Sequence, residues 1–283
     1  MSASLTEASQ AAYTRAWVHF KNFLAETSLS LTFPVPVDHL VAYISYLFDQ
    51  NYASSTITSF VSAISFVHKI TDYPDPGEKP LIKKLLQGCR KLKATSDGRL
   101  PISIDILHQI LKSSSVTMSA VFALKRFQAM CTLALHALLR VGEMTASKNN
   151  LTFGCILMEN DAVSINFTCY KHSAGSRATL RINAKPSNDC PVMALRVYIA
   201  LRGISPGPLF ITTSGEEVLR QVFTQELKSA LDFTGIQSNR FTSHSFRIGG
   251  ATHMALNGAS DTQIRQAGRW ASNAFLSYIR IGH

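Results

Sequence analysis

The sequence is short of features that mark several protein classes. Its five cysteines, Cys89, Cys131, Cys155, Cys169 and Cys190, form no CxxC pair and no zinc-type spacing with histidine. An odd number of scattered cysteines reads as reduced thiols inside a cell rather than a disulfide framework. No metal site is expected. No run approaches the roughly 18 apolar residues of a membrane span. Met1-Ser-Ala-Ser-Leu-Thr-Glu7 has no basic segment leading into an apolar one, which argues against a secretory leader. There is no phosphate-binding P-loop, no internal repeat and no low-complexity tract.

Acidic residues are the other shortage. Asp and Glu number 18 against 28 Lys and Arg, a net charge of +10. Such a balance suits a polyanionic partner, nucleic acid or an anionic membrane surface, though a basic protein can also be merely soluble. The excess is uneven: residues 1–94 hold 9 basic and 7 acidic residues, and residues 95–283 hold 19 and 11. What is plentiful is apolar: 46% of 283 residues, enough for a core in one large domain or two ordinary ones.

The first ninety residues read as helices alone. Tyr13, Trp17, Phe20, Phe23 and Leu24 make one apolar stripe in 9–26; Leu40, Val41, Ile44, Leu47 and Phe48 another in 37–50; Ile57, Phe60, Val61, Ile64 and Val67 a third in 54–70. Tyr73-Pro-Asp-Pro-Gly77 breaks the chain before a fourth segment, 79–93. That segment has no acid and carries Lys79, Lys83, Lys84, Arg90, Lys91 and Lys93, with Leu81, Ile82, Leu85 and Leu86 keeping one side apolar. It is either a solvated basic face or a helix lying along phosphates, where neutralised charges release counterions.

Ala94-Thr-Ser-Asp-Gly-Arg-Leu-Pro101 is polar and aperiodic, as an interdomain linker is. Beyond it the spacing predicts helices near 103–113, 118–139, 191–202, 217–233, 244–257, 261–267 and 271–281, and a hairpin over 162–183.

Four places in this half could carry chemistry. In Ala134-Leu-His-Ala-Leu-Leu-Arg140-Val-Gly-Glu143, the residues before Arg140 are apolar on nearly every face, so an arginine at the end of a buried helix must meet an anion or reach solvent. It could pair with Glu143, or aim a guanidinium fork at a phosphate with Glu143 bracing it. The hairpin alternates Val163, Ile165, Phe167 and Cys169 against Leu180 and Ile182, with Lys171 where the strand meets a Gly/Ser tip. A lysine there is ordinarily just solvated.

Thr242-Ser243-His244-Ser-Phe-Arg247 opens a helix that ends at Asn257-Gly258, with Ser243 as expected N-cap and Gly258 at C′. His244 and Arg247 share a face of its first turn, where the helix dipole disfavours cations, a cost that an anion between them would offset. Two surface residues at a fraying end are the plainer alternative. Finally, Ser260 should cap a short helix that Gly268 closes, and Tyr278 follows on another helix. Beside Phe275 and Leu276 this tyrosine is either core packing or a nucleophile.

Taken in order, Arg140 in LLRVGE, Lys171 on a hairpin, His244-x-x-Arg247, Trp270 after Gly-Arg, and Tyr278 near the end resemble the tyrosine recombinases of the phage-integrase type. The resemblance covers nearly the whole chain. It implies a mainly α fold with a small antiparallel β-sheet: a helical core-binding domain of the SAM-like kind at 1–94, a linker at 95–101 and a mixed α+β catalytic domain at 102–283, clamped on duplex DNA. Arg99-Leu-Pro-Ile-Ser103, Leu139-Arg-Val-Gly-Glu143 and Gly268-Arg-Trp-Ala-Ser-Asn-Ala-Phe-Leu-Ser-Tyr-Ile-Arg280 look like the eukaryotic mobile-element branch, the DIRS-type and Crypton recombinases. Trp270 stands where many members have histidine, a known alternative, and the step from Trp270 to Tyr278 is one residue shorter than in many bacterial members.

The resemblance implies strand cleavage and rejoining through a 3′-phosphotyrosyl bond, with no metal and no cofactor. Arg140 and Arg247 would clamp the non-bridging oxygens, His244 would hydrogen-bond and accept the tyrosine proton, Lys171 would protonate the leaving 5′-hydroxyl, Trp270 would support the site and Tyr278 would attack. Glu143 would brace Arg140, and Lys83, Lys84, Arg90, Lys91 and Lys93 would meet DNA phosphates. Implied partners are double-stranded DNA and further copies of the chain, as dimer or tetramer on DNA, without a membrane; the location would be the nucleus for a mobile-element origin and otherwise the bacterial cytoplasm. Two other readings stay open: type IB topoisomerase-like relaxation, and a DNA-binding protein without catalysis, for which residues 250–267 resemble a helix-turn-helix with Gly258 in the turn.

Overall fold

The computed structural model describes residues 5, 7–93, 97–168 and 177–281. The chain divides into two compact units, Met1–Asp97 and Gly98–His283.

The first unit is helical: α1 Glu7–Glu26, α2 Val37–Asp49, α3 Ser54–Ile70 and α4 Pro80–Leu92. The expected apolar stripes supply its core: Phe20, Phe23 and Leu24 from α1, Leu40, Ile44 and Leu47 from α2, Ile57, Val61 and Ile64 from α3. His68 is a satisfied core histidine. Its Nδ1 faces the Ile64 carbonyl at 2.8 Å, and its Nε2 accepts the Val35 N–H at 2.9 Å, which fixes the proton on Nδ1. In α4, Pro80 occupies the first turn, where its missing N–H costs nothing, and Ile82 and Cys89 face the core. Lys84, Arg90 and Lys91 are exposed. Lys83 pairs with Glu78 at 2.8 Å, an acid one residue outside the basic segment. Lys93 turns inward: Nζ donates to the Phe48 carbonyl at 2.6 Å and lies over the Phe48 ring.

The second unit is mainly helical around a three-stranded antiparallel sheet. Its elements are α5 Ile104–Thr117, α6 Val121–His136, α7 Val141–Met144, β1 Ile156–Met158, β2 Ala162–Phe167, β3 Ala178–Asn183, α8 Pro191–Arg202, α9 Arg220–Phe233, α10 Ser243–Leu256 and α11 Asp261–Gly268. The strand order is β1-β2-β3. The expected hairpin is β2 and β3, with Val163 opposite Ile182 and Ile165 opposite Leu180. β1, of three residues, is too short to show alternation and was not expected. Cys169 and Lys171 lie outside the described residues; the other four cysteines are free and buried. No helix among the described residues is long and apolar enough to cross a membrane.

Three local expectations need correction. The helix expected over 118–139 stops at His136, because Leu138 adopts φ 48° and turns the chain. Thr242, not Ser243, is the N-cap of α10; its hydroxyl accepts the His244 N–H at 3.2 Å while Ser245 Oγ accepts the Thr242 N–H at 3.1 Å. The helix expected over 271–281 is a 3₁₀ turn, Asn273–Tyr278, after which Ile279 is extended.

Candidate active site

The end of α6 makes the first wall. Past Leu138 the chain enters α7, with Arg140 as N-cap and Glu143 at its third position. Glu143 is 2% exposed; its Oε2 accepts the Arg140 backbone N–H at 2.8 Å and its Oε1 faces Arg140 Nη1 at 3.3 Å. The ion pair read from the spacing therefore exists, and it leaves Arg140 partly open to solvent, at 23% exposure.

The second wall is the start of α10. This helix can pass close to its neighbours because Gly249 and Gly250 lie where a Cβ would come within 1.8 Å of the Ile102 carbonyl and 2.3 Å of the Leu135 carbonyl. Arg247 is 1% exposed. It donates from Nη1 to the Leu138 carbonyl and from Nη2 to the Gly268 carbonyl at 3.0 Å. Its buried Nε has no hydrogen-bond partner among the described residues. Burial, with Arg140 and Arg269 close by, pushes this guanidinium down to about 9, so it is still cationic at neutral pH.

The third wall is the segment after α11. Gly268 is the last helical residue and Arg269 takes the left-handed turn at φ 54°, so glycine is not needed there for its backbone freedom. Gly268 is needed for space: a Cβ would strike the Trp270 ring at 1.6 Å. Trp270 and His244 flank Tyr278 with ring centroids at 4.9 and 4.8 Å. The Arg247 guanidinium lies 4.5 Å from the Trp270 ring and 5.6 Å from the Tyr278 ring. Thr252 of α10 fixes the 3₁₀ turn, donating to the Tyr278 carbonyl at 3.3 Å and accepting the Arg280 N–H at 3.0 Å.

Arg140, Glu143, His244, Arg247 and Tyr278 line one cavity of about 530 Å³, joined by Arg99, Asn149 and Arg220. Five of the seven residues singled out in the second half thus meet at one cavity, with Trp270 against its tyrosine; Lys171 lies outside the described residues. Sequence reading assigned nothing to Arg269, Asn149 or Arg220. Among the described residues, no group of His, Cys, Asp and Glu could hold a metal ion. Chemically, the cavity offers a phenol beside an imidazole, and guanidinium groups that suit an oxyanion.

These features define an arginine-lined pocket with a tyrosine in it. Residues 107–278 match the phage integrase family, and the chain belongs to that family, the tyrosine recombinases. The same fold occurs in solved structures. The Tn1549 transposon integrase in complex with transposon right end DNA aligns with TM-score 0.68 and 13% identity over 100% of this chain and 92% of that one. The XerH site-specific recombinase bound to its palindromic difH substrate gives 0.66 and 13%, over 95% and 75%. A lambda integrase dimer bound to a COC′ core site gives 0.62 and 13%, over 95% and 90%. No curated protein sequence matches.

Proposed function

We propose that the protein is a site-specific DNA recombinase that cleaves and rejoins duplex DNA through Tyr278. The observation that carries the reading is the convergence of Arg140, His244, Arg247 and Tyr278, from segments a hundred residues apart, on one cavity. The Tyr278 oxygen attacks phosphorus and forms a phosphotyrosyl bond while the bond to the 5′ oxygen breaks. Negative charge grows on the non-bridging oxygens, and Arg140 and Arg247 face it with fixed donors. His244, against the Tyr278 ring, accepts the phenolic proton. Lys171, carried over from the family resemblance, returns a proton to the leaving 5′-hydroxyl. The covalent bond keeps the energy of the ester, so a 5′-hydroxyl from a second strand can reverse the step.

In this reading the first unit is the core-binding domain, 1–94, joined by a linker at 95–101 to the catalytic domain, 102–283, and the partners are double-stranded DNA and other copies of the chain. The motifs Arg99–Ser103, Leu139–Glu143 and Gly268–Arg280 favour the DIRS-type or Crypton branch and with it a nuclear location; a bacterial origin would place it in the cytoplasm. The test is a covalent protein–DNA adduct on a denaturing gel, with wild type and Tyr278→Phe incubated with supercoiled plasmid and a nicked, randomised duplex pool. An adduct from wild type alone supports the proposal, and sequencing the trapped DNA yields the site. DNA binding without adduct favours a binder without catalysis, and plasmid relaxation without strand exchange favours the topoisomerase-like reading.

A further inference from the structure

Arg269 lies next to Trp270, yet it points away from the cavity into the protein. Its side chain is 3% exposed and its Nη2 meets Glu143 Oε2 at 2.8 Å. The same guanidinium donates to the carbonyls of Ala137 at 3.2 Å, Leu138 at 3.3 Å and Ala267 at 3.0 Å, and it sits 3.9 Å over the ring of Phe167 at the end of β2. Its backbone is left-handed at φ 54°, a conformation that glycine adopts freely and that other residues seldom hold without a reason in the side chain.

The carboxylate of Glu143 is thus shared unequally. Oε2 holds Arg269 at 2.8 Å and the Arg140 backbone N–H at 2.8 Å, whereas the Arg140 guanidinium has only the longer 3.3 Å contact to Oε1. A buried carboxylate with a single cationic neighbour would bind that neighbour tightly and compete with any phosphate for it. Here the buried partner is Arg269, so Arg140 keeps its charge directed at the cavity. Arg269 and Arg247 also share the Leu138 carbonyl, which ties the two guanidinium walls to one turn of backbone.

We propose that Arg269 is a positioning residue for strand cleavage: by holding Glu143 and the Leu138 carbonyl, it fixes Arg140 in place and leaves its guanidinium available to the scissile phosphate. The phosphate role of Arg140 rests on the recombinase reading; the holding of Arg140 by Arg269 through Glu143 does not.

Arg269→Gly tests this, because glycine keeps the left-handed turn and removes only the side chain. Arg269→Lys keeps a charge near Glu143 but loses the fork. Arg269→Gly with Glu143→Gln leaves no lone buried carboxylate, and Glu143→Gln alone is its reference because Glu143 also touches Arg140. The first readout is the Nε–H resonance of Arg140 in ¹⁵N-labelled protein, assigned with Arg140→Lys. It is expected to shift in Arg269→Gly, where Glu143 is left to Arg140 alone, and in the double variant relative to Glu143→Gln, and to stay nearer wild type in Arg269→Lys. The second is the rate of adduct formation on the duplex recovered from wild-type adducts, beside duplex affinity. We expect the rate to fall by roughly 10²-fold in Arg269→Gly and in the double variant, with affinity little changed, and to recover in part in Arg269→Lys. A folded Arg269→Gly protein with an unmoved Arg140 resonance, or with wild-type cleavage, overturns the proposal. If wild type forms no adduct, the recombinase reading fails, and the Arg140 resonance still decides whether Arg269 holds Arg140.

Discussion

A guanidinium taken out of water must be answered by oxygen atoms, and at Arg247 two of them are main-chain carbonyls of Leu138 and Gly268. That leaves Arg247 fixed, charged and short of an anion on the cavity side. Lysine cannot reproduce this: it has one nitrogen for two carbonyls and no fork. Arg247→Lys should slow adduct formation on the order of 10²–10³-fold while duplex affinity, measured by anisotropy, changes little; wild-type cleavage by this variant would remove Arg247 from the clamp. A second residue-scale expectation concerns His136, which sits 2.8 Å from Asp189 and near Lys185. Burial and the Lys185 charge push its imidazole down to about 4. A depressed histidine is neutral in the folded protein while the unfolded chain takes up a proton below about 6.5, so stability is lost as pH falls from about 6.5 towards 4. The loss is visible as a fall in Tm that His136→Gln should flatten. Most of the site was legible at this scale because His244-x-x-Arg247 and Arg140-x-x-Glu143 are local spacings. Arg269 was not, since its partners Glu143, Ala137 and Phe167 lie more than a hundred residues away. Lys93 could have been read better: it stands four residues after Cys89 and seven after Leu86, on the apolar side of α4, and it does turn inward.

At the scale of the element, α10 shows what composition conceals. Two adjacent glycines inside a helix cost helical propensity, and this helix keeps them because Ile102 and Leu135 pass against its backbone. The end signals at Thr242-Ser243 and Asn257-Gly258 still revealed the helix to within a residue at each end, whereas the close approach was invisible until its neighbours were in place. Gly249→Ala would put a methyl group 1.8 Å from the Ile102 carbonyl, a backbone atom that cannot rotate away. We expect a loss of about 3 kcal/mol, the upper end for overpacking, read as a lowered urea midpoint, with adduct formation reduced because His244 and Arg247 ride on the displaced helix. Gly258→Ala is the contrast: φ is 77° and nothing lies within 4 Å, so the cost is backbone strain of roughly 1 kcal/mol. Equal losses at the two positions would contradict the packing account. The segment 273–278 marks the limit of periodicity. Phe275, Tyr278 and Ile279 suit an α-helix and a 3₁₀ turn equally over six residues, and Ser272 and Thr252 decide the outcome through hydrogen bonds that the spacing does not encode.

Across the whole molecule the basic excess divides into an exposed share and a share already spent inside the fold. Residues 1–94 have 9 basic against 7 acidic residues, yet the exposed α4 cations Lys84, Arg90 and Lys91 pair with no acid among the described residues, while Lys83 pairs with Glu78 and Lys93, just past α4, with carbonyl groups of its own unit. The larger excess, 19 against 11, belongs to residues 95–283. If the protein binds duplex DNA through both units, log affinity should fall linearly with log salt, and each lost phosphate contact should reduce the slope by about 0.9. Lys84→Ala and Lys91→Ala are each expected to flatten the slope by about that amount at every duplex sequence, because phosphate contacts carry no base information. Lys93→Ala should leave the slope alone and lower Tm instead, since it removes a tie between α4 and Phe48 rather than a phosphate contact. The combined Lys84, Arg90 and Lys91 variant should still bind with a clear salt dependence, supplied by the second unit. Anisotropy of a labelled duplex between 50 and 200 mM salt, about the range over which such contacts are felt, reads all four proteins in one titration series. A slope unchanged in Lys84→Ala and Lys91→Ala would take α4 off the DNA, and a slope that vanished in the triple variant would leave the +8 of the second half facing something other than phosphate.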